Sequence, residues 1–290
     1  MIKDHISRSI TKSNYRVVLA RASNVAQLIG VEQHKLEGLP LAHFADGILS
    51  ALLLATQLKG VGVVSVEFDS DGAFDNYRCD ATPLGLVRAM IPSSTFEKIL
   101  KWNPQNTPLI GKGNLYISKK IEGAHQPFHS VIELISQDFT KNISNYLVKS
   151  EQINGVIALC TIVDGNKIIS CDGFMIEEMP DTKKEGRDQM FEQLSKIKSP
   201  VDIFQNSPDD ATVLKNILGA IDTIHMKDFE VAFFCPCTRE RFLDSLSGLP
   251  RNEIENIETN NSNIITECDF CKKSYSFTQK EIFINKDSKN

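Results

Sequence analysis

Four of the seven cysteines in this chain fall within its last 56 residues, as two closely spaced pairs. The first pair is Cys235 and Cys237, in Phe-Cys-Pro-Cys, and the second pair is Cys268 and Cys271, in Cys-Asp-Phe-Cys. Thirty residues separate the pairs, and closing such a loop costs little because the entropy grows only with the logarithm of length. Four thiolates in two short-spaced pairs are typical ligands of a tetrahedral structural zinc ion. The spacing therefore predicts one Zn²⁺ per chain, bound by these four cysteines.

The metal is expected to decide whether the C-terminal segment folds. Residues 231–290 hold few apolar side chains for their number, and a core of that size rarely supplies more than about 3–5 kcal/mol. Zinc binding in small modules is worth about 10–16 kcal/mol, so the segment should unfold when the metal leaves. Because thiolates react readily with peroxide, oxidation of a close pair would remove two ligands at once and eject the metal.

The other residues that could do chemistry give weaker signals. Residues 111–113, Gly-Lys-Gly, lack the upstream glycine and the following Ser or Thr of a phosphate loop, so a turn is predicted. His125 and His129 have helical metal-ligand spacing, but Pro127 lies between them and argues against a helix. Three single cysteines in strand-like sequence are predicted to be small buried side chains: Cys79, Cys160 and Cys171.

The periodicity of residues 1–179 predicts an α+β domain that stands before the cysteine pairs. Helices interrupt hairpins instead of alternating with single strands, which favours a mixed or antiparallel sheet. The predicted elements are a deeply buried helix over 43–58, hairpins over 60–79, 113–135 and 155–176, and an amphipathic helix over 138–150.

Composition changes after residue 179, where a charged segment begins. Residues 180–230 carry ten acidic and seven basic side chains. Two amphipathic helices are predicted there, and each has an apolar stripe too narrow to be stable without docking on a neighbour. The sequence thus predicts a metastable helical linker over 180–230, between a domain at 1–179 and a zinc module at 231–290. The stripes are Met190, Phe191, Leu194 and Ile197 in one helix, and Val213, Leu214, Ile217, Leu218 and Ile221 in the other.

The cysteine segments resemble those of a known family. The strings VAFFCPCTRERFLDSLSGLP and ITECDFCKKSYSFTQKEI are similar to the C-terminal switch domain of the redox-regulated heat-shock holdases, the 33 kDa chaperonin family. The similarity continues upstream, in order, and covers most of the chain outside the linker. The matching strings are ILSALLLATQLKG, VEFDSDGAF, LIGKGNLYIS, LVKSEQ and GFMIEEMP.

This resemblance implies a chaperone without ATP-driven or other enzymatic activity. The reduced form would bind zinc through the four cysteines and be inactive. Oxidation would form the disulfides Cys235–Cys237 and Cys268–Cys271, release zinc and unfold the linker, after which the protein would hold unfolding client proteins. Its expected location is the cytoplasm, which agrees with the absence of an apolar block of signal-peptide length near the N-terminus. A homodimer of the oxidised form is a further expectation.

The sequence departs from the family pattern at two places. Pro236 separates the first pair and cannot donate an amide hydrogen bond to a ligand sulfur, and Cys171-Asp172-Gly173 stands where a Gly-Gly pair is expected. A disulfide across C-x-C is also harder to form than one across C-x-x-C, since its Cα atoms lie near the upper limit of disulfide geometry. Pro236 pushes Cys235 towards extended backbone, so the first disulfide should be strained and easily reduced.

Two other functions compete with this interpretation. A constitutive zinc ribbon could bind nucleic acid or a protein, but residues 231–290 hold eight basic and nine acidic side chains and the whole chain has a net charge of −5. A thiol-disulfide oxidoreductase would need its C-x-x-C at the start of a helix, whereas the second pair follows strand-like sequence. A membrane partner is also disfavoured, because the longest apolar stretch is twelve residues.

Overall fold

The chain forms two compact units, Met1–Phe233 and Phe234–Asn290. The structure is a computed structural model. The residues that this structure describes are 3–124, 126–205, 207, 209–257 and 263–287. His125, one half of the histidine pair considered above, therefore lies outside the described residues, and its partner His129 is exposed on a strand.

The first unit contains two sheets and most of the helices. Its strands are β1 (His5–Thr11), β2 (Tyr15–Arg21), β3 (Gly62–Ser70), β4 (Asn76–Ala81), β5 (Leu86–Met90), β6 (Gly113–Ile121), β7 (Phe128–Glu133), β8 (Gly155–Asp164), β9 (Lys167–Glu178), β10 (Thr223–Glu230) and β11 (Ala232–Phe233). Its helices are α1 (Ser23–Ala26), which continues as a π-helix over Gln27–Gln33, α2 (Gly38–Ala55), α3 (Ser93–Leu100), α4 (Phe139–Lys149), α5 (Lys184–Leu194), α6 (Pro200–Gln205) and α7 (Asp210–Leu218).

The strands pair almost entirely antiparallel, within the described part of the chain. One sheet has the order β10-β1-β2-β9-β8, and the other has the order β11-β5-β4-β3-β6-β7. The short strand β11 runs parallel to β5, and every other pair is antiparallel. The predicted α+β class and mixed or antiparallel sheet are confirmed.

Helix α2 lies at the centre of the larger core and contacts strands of both sheets. Apolar residues surround it on nearly all sides, as the sequence predicts. Gly47 permits a close approach, since a Cβ atom there would lie 2.4 Å from the Tyr77 hydroxyl. By length and composition this helix could also cross a membrane, but 72% of the relevant window is buried inside the protein, as expected of a core helix.

Strand β2, in the middle of the five-stranded sheet, is buried on both faces, which explains the almost continuous apolar run over 15–20. Val18 and Ala20 on β2 face the core around α2. Val17 and Leu19 face the other way, into a second apolar cluster. We call this second surface of the sheet the covered face.

Helices α5, α6 and α7 of the predicted linker lie on the covered face. The linker residues with at most 6% exposure in this cluster are Met190, Ile203, Phe204, Val213, Ile217 and Leu218, and Leu194, Ile197, Leu214 and Ile221 are partly buried against it. Phe191, placed in the docked stripe by the sequence, is instead 77% exposed. It lies one residue, or about 100°, around the helix from Met190 and therefore points to solvent.

Charged groups add a polar clasp at the start of α7. Asp210 Oδ2 lies 2.6 Å from His5 Nε2, and Asp210 Oδ1 accepts a hydrogen bond from Arg21 Nε at 2.8 Å. His5 and Arg21 belong to β1 and β2, so the clasp fixes the N-terminus of a linker helix to the sheet. At the other end of the linker, Arg187 Nε donates to Glu178 Oε1 at 2.6 Å.

The last part of the linker is a strand and corrects the prediction of an entirely helical segment. Strand β10 pairs antiparallel with β1 along its whole length, from Thr223 opposite Thr11 to Glu230 opposite His5. Its side chains are mostly exposed, so no apolar alternation marks it in the sequence. The hydrogen bonds of β1, a strand distant in the chain, determine its conformation.

The second unit is small. A hairpin of β12 (Asn263–Glu267) and β13 (Ser274–Thr278) packs with α8 (Arg239–Gly248), α9 (Arg251–Asn256) and α10 (Gln279–Asp287). Its buried apolar side chains are Ile254, Ile264, Tyr275, Phe277 and Ile282. This is a small core, as the sequence predicts for a module that depends on a metal.

Candidate metal centre

The two cysteine pairs lie in connecting segments from different parts of the second unit. The first pair lies in the irregular stretch before α8, whose N-cap is Thr238. The second pair forms the connection between β12 and β13, where the Cys268 amide donates to the Lys273 carbonyl at 3.0 Å. Lys272 adopts a left-handed conformation there, with φ of 58°, and its amide donates back to the Cys268 carbonyl at 2.8 Å. The hairpin therefore holds the second pair in a tight turn.

The structure brings all four predicted cysteines together. Their sulfur atoms lie within 4.8 Å of one another. Among the described residues, these four cysteines form the cluster of potential ligands that could hold a metal ion. Cys235 Sγ is 3.7 Å from Cys268 Sγ, and Cys237 Sγ is 3.3 Å from Cys271 Sγ. Zn–S bonds of about 2.3 Å in a tetrahedron would separate the sulfurs by about 3.8 Å. The four thiols thus fit a single tetrahedral ion with little rearrangement.

The sulfurs of the cluster have unequal environments. Burial opposes ionisation of Cys237, but hydrogen bonds, first from the Tyr275 hydroxyl and then from the neighbouring thiols, lower its pKa to about 7. Burial and contacts with neighbouring thiols raise the pKa of Cys235 and of Cys271. One thiolate thus makes the next harder to form, and a bound cation would remove that repulsion and allow all four to ionise.

Side chains outside the cysteines support the first pair. The Tyr275 hydroxyl lies 3.2 Å from Cys237 Sγ, and Arg241 Nη1 donates to the Pro236 carbonyl at 2.8 Å. The metal site predicted from the sequence consists of the four cysteines and includes neither of these side chains. The available signal for Tyr275 was general: a buried tyrosine hydroxyl needs a hydrogen-bond partner.

The basic residues near the cluster do not form a free cationic surface. Arg239 pairs with Glu281 at 2.6 Å, and Lys272 lies 3.8 Å from Glu267. Lys273 lies over the ring of Tyr275 at 5.4 Å. These contacts give no support to the alternative of a zinc ribbon that binds nucleic acid.

The three single cysteines lie in the first unit and are buried, as predicted. Cys79 and Cys171 are 0% exposed within the core around α2, and Cys160 is 4% exposed on the covered face beneath the linker. Burial raises the pKa of Cys160 to about 12. All seven cysteines lie within the described residues, and none of them is in a disulfide.

Comparison with known proteins identifies the fold and the family. The family model described as Hsp33 protein matches residues 4–278, nearly the whole chain. The chain belongs to the Hsp33 family of chaperones. The predicted resemblance is thereby confirmed at the level of the family.

Similar Hsp33 relatives match over almost their full length. A 33 kDa chaperonin from Thermodesulfovibrio yellowstonii is 26% identical over 97% of this chain and 98% of its own. One from Bacillus subtilis is 27% identical over 91% and 92%. The crystal structure of the 33 kDa chaperonin from Thermotoga maritima superposes with a TM-score of 0.84, covers 99% of each chain and shares 20% identity. That likeness confirms the fold.

Proposed function

We propose that this chain is a redox-regulated, ATP-independent holdase that is inactive when reduced and zinc-bound. The observation that carries the proposal is the convergence of four thiols in a unit whose own apolar core is small. Family membership supports the chaperone activity. In this proposal Cys235, Cys237, Cys268 and Cys271 bind one Zn²⁺ per chain, because a soft four-thiolate donor set favours zinc.

The first step is chemical. Each close pair gives up two electrons to a peroxide, which takes up two protons and leaves as water, while an S–S bond forms within the pair. The expected products are the disulfides Cys235–Cys237 and Cys268–Cys271. Each disulfide removes two ligands, so the protein can no longer hold the metal. Zinc binding supplies about 10–16 kcal/mol to modules of this kind, which is more than a small core provides, and the second unit unfolds.

The second step is a change of stability along the chain. Cys235 follows β11 after one residue, Phe234, and β11 itself is a two-residue edge strand. When the second unit unfolds, the short connection over 231–234 loses its folded neighbour in sequence and frays first. We propose that this fraying loosens the linker. The proposed domains are a holding domain at 1–179, a linker at 180–230 and a zinc module at 231–290.

The third step exposes the client site. Releasing α5–α7 uncovers the apolar covered face, including Leu19, Phe174 and Ile176, and also frees the apolar stripes of the helices. A contiguous exposed apolar patch is a surface that can bind other unfolding chains. Self-association of two oxidised copies through the same surfaces would give the proposed homodimer. The proposal includes no catalytic reaction, no nucleic acid and no membrane, and it assigns the protein to the cytoplasm.

The decisive experiment measures zinc, free thiols and holding activity in the same samples, before and after peroxide. We expect one zinc and seven cysteines in the reduced state per chain, with no suppression of client aggregation. After peroxide we expect no bound zinc, four fewer thiols and strong suppression without ATP. Holding activity that is equal in both states would refute the redox regulation. Salt-dependent nucleic-acid binding by the zinc form would instead favour a zinc ribbon.

A further inference from the structure

The Tyr275 hydroxyl touches the metal centre at one ligand. Its oxygen lies 3.2 Å from Cys237 Sγ and 3.3 Å from the Cys237 carbonyl oxygen. The residue stands on β13 and is 8% exposed, and its ring packs against Phe242 with centroids 4.9 Å apart. The strand and the ring contact together fix where the hydroxyl points.

The other sulfurs near it receive backbone donors. The Cys237 amide donates to Cys235 Sγ, and the Lys273 amide donates to Cys271 Sγ. Within the first pair, Pro236 has no amide proton to offer. The hydrogen bond to Cys237 Sγ therefore comes from a side chain, that of Tyr275. Unlike a backbone amide, a side-chain donor can be removed by substitution.

The protonation state of a bound ligand fixes the direction of this hydrogen bond. A zinc-bound cysteine is a thiolate without a proton, so in a hydrogen bond between these two groups the tyrosine O–H donates and the sulfur accepts. Such a bond to a charged acceptor is stronger than one between neutral groups. A disulfide sulfur carries no charge and accepts weakly, and the carbonyl at 3.3 Å then remains as the acceptor for the hydroxyl.

We propose that Tyr275 is a positioning residue of the metal centre, whose hydroxyl donates to Cys237 Sγ, strengthens metal binding and slows oxidation of the first pair. This rests on the proposed function and deepens it. The hydrogen bond withdraws electron density from the sulfur, which makes the thiolate a poorer nucleophile towards peroxide. It also favours the reduced state, because its better acceptor exists only there. The oxidation itself transfers two electrons from the two thiolates to peroxide, which becomes water.

The test is Tyr275→Phe, which keeps the ring and removes the donor. Loss of a residue that orients a metal ligand typically costs 10- to 100-fold in metal affinity, so we expect zinc affinity to fall about 10-fold or more in a chelator competition. In the cobalt(II) form, the sulfur-to-metal charge-transfer band should move to lower energy, because the sulfur becomes a better electron donor. Mass mapping should show the Cys235–Cys237 disulfide forming faster than in the wild type.

Two control variants separate the hydroxyl from packing. Phe242→Leu disturbs the ring contact but leaves the hydroxyl, so the cobalt band should move less than in Tyr275→Phe even if stability falls. Tyr116→Phe removes a hydroxyl that bonds to Asp69 in the first unit, and it should change none of the three measurements. A shifted band in Phe242→Leu alone would assign the effect to packing and overturn the proposal.

A measurement on the wild type covers the case in which Tyr275→Phe does not fold. In protein loaded with an NMR-active cadmium isotope, we expect scalar coupling between the metal and the Tyr275 hydroxyl proton through the sulfur. Absence of that coupling, or a folded Tyr275→Phe with unchanged affinity, band and rate, would overturn the role of Tyr275. If the wild type still loses zinc and gains holding activity with peroxide, the proposed function survives that failure. A wild type that binds no zinc at these cysteines would overturn both.

Discussion

Replacing Leu218 by Asp should activate the reduced protein while its zinc stays bound. Leu218 is the last residue of α7 and is 1% exposed on the covered face. The substitution leaves every cysteine in place. It removes an apolar contact of the linker and puts a carboxylate where the neighbouring side chains are apolar. If linker release is the switch, oxidation becomes unnecessary in this variant.

The expected effect is large compared with the stability of a docked segment. Loss of a buried leucine side chain costs about 2–5 kcal/mol, and a buried polar group without a partner adds about 1–3 kcal/mol. A combined loss of at least about 3 kcal/mol changes the ratio of undocked to docked linker by about 100-fold or more, at about 1.4 kcal/mol per tenfold. Whole domains are stable by only about 5–15 kcal/mol, and segments that open locally lie below that.

Cys160 reports linker release directly. It lies beneath the linker on the covered face, and burial raises the pKa of its thiol to about 12, so it should be almost inert to alkylation while α5–α7 are docked. In reduced, zinc-loaded Leu218→Asp, peptide mapping should show Cys160 alkylated and Cys79 still protected in the core around α2. The same sample should retain one zinc and suppress client aggregation without peroxide.

Phe191→Asp is the matched control. It places the same charge on the same linker, but at a side chain that is already 77% exposed, so Cys160 should stay protected and the protein inactive. The reasoning is refuted if Leu218→Asp shows an alkylated Cys160 and a protease-sensitive linker yet holds no client. The client site would then lie elsewhere, and linker release would not be the switch.

Three further predictions concern the metal, the disulfides and pH. Replacing any one of the four clustered cysteines by Ser should lower zinc affinity, because one thiolate ligand is lost; undiminished affinity in all four variants, measured by chelator competition, would remove them as ligands. Under mild peroxide the second pair should form its disulfide before the first, since C-x-x-C closes with less strain, and timed mass mapping of the disulfides would show the reverse order if the strain argument is wrong. The hydrogen bond to Asp210 raises the pKa of His5. The positive charge of His5 therefore stabilises the docked linker fully below the ordinary histidine pKa of about 6.5, and this stabilisation is lost as pH rises through the higher pKa of His5 in the folded protein. Burial raises the pKa of the nearby Asp172 to about 6, so this group also loses stabilising free energy as pH rises. The linker should therefore resist proteolysis in urea better at pH 6 than at pH 8.5. His5→Gln should reduce that difference.

Local patterns in the sequence were enough for the hairpins and for the buried helix. The predicted strand pairs over 113–135 and 155–176 correspond to β6–β7 and β8–β9. The helix predicted over 43–58 occurs as Gly38–Ala55, starting earlier because proline is tolerated in a first helical turn. These elements depend on neighbours in sequence, which is the information that periodicity contains.

Long-range pairing accounts for what the sequence did not predict. The strand at Thr223–Glu230 exists because β1 offers it hydrogen bonds across more than 200 residues, and its exposed side chains carry no alternating pattern. The convergence of the two cysteine pairs could be predicted, because thiolates at metal-ligand spacing have one common use. The Tyr275 hydroxyl could not, because its distance to Cys237 depends on how β13 packs against α8.

Strand β10 has a consequence for what the released linker can do. Glu178 at the end of β9 and Thr223 at the start of β10 both belong to the same sheet, so residues 179–222 leave it and return to it. If α5–α7 detach while β10 keeps its hydrogen bonds to β1, the freed segment is a closed loop and not a free tail. Its helices then remain at a high effective concentration above the surface they left. A client on that surface competes with the loop itself, so release of the client can be driven by redocking once the cysteines are reduced and zinc returns.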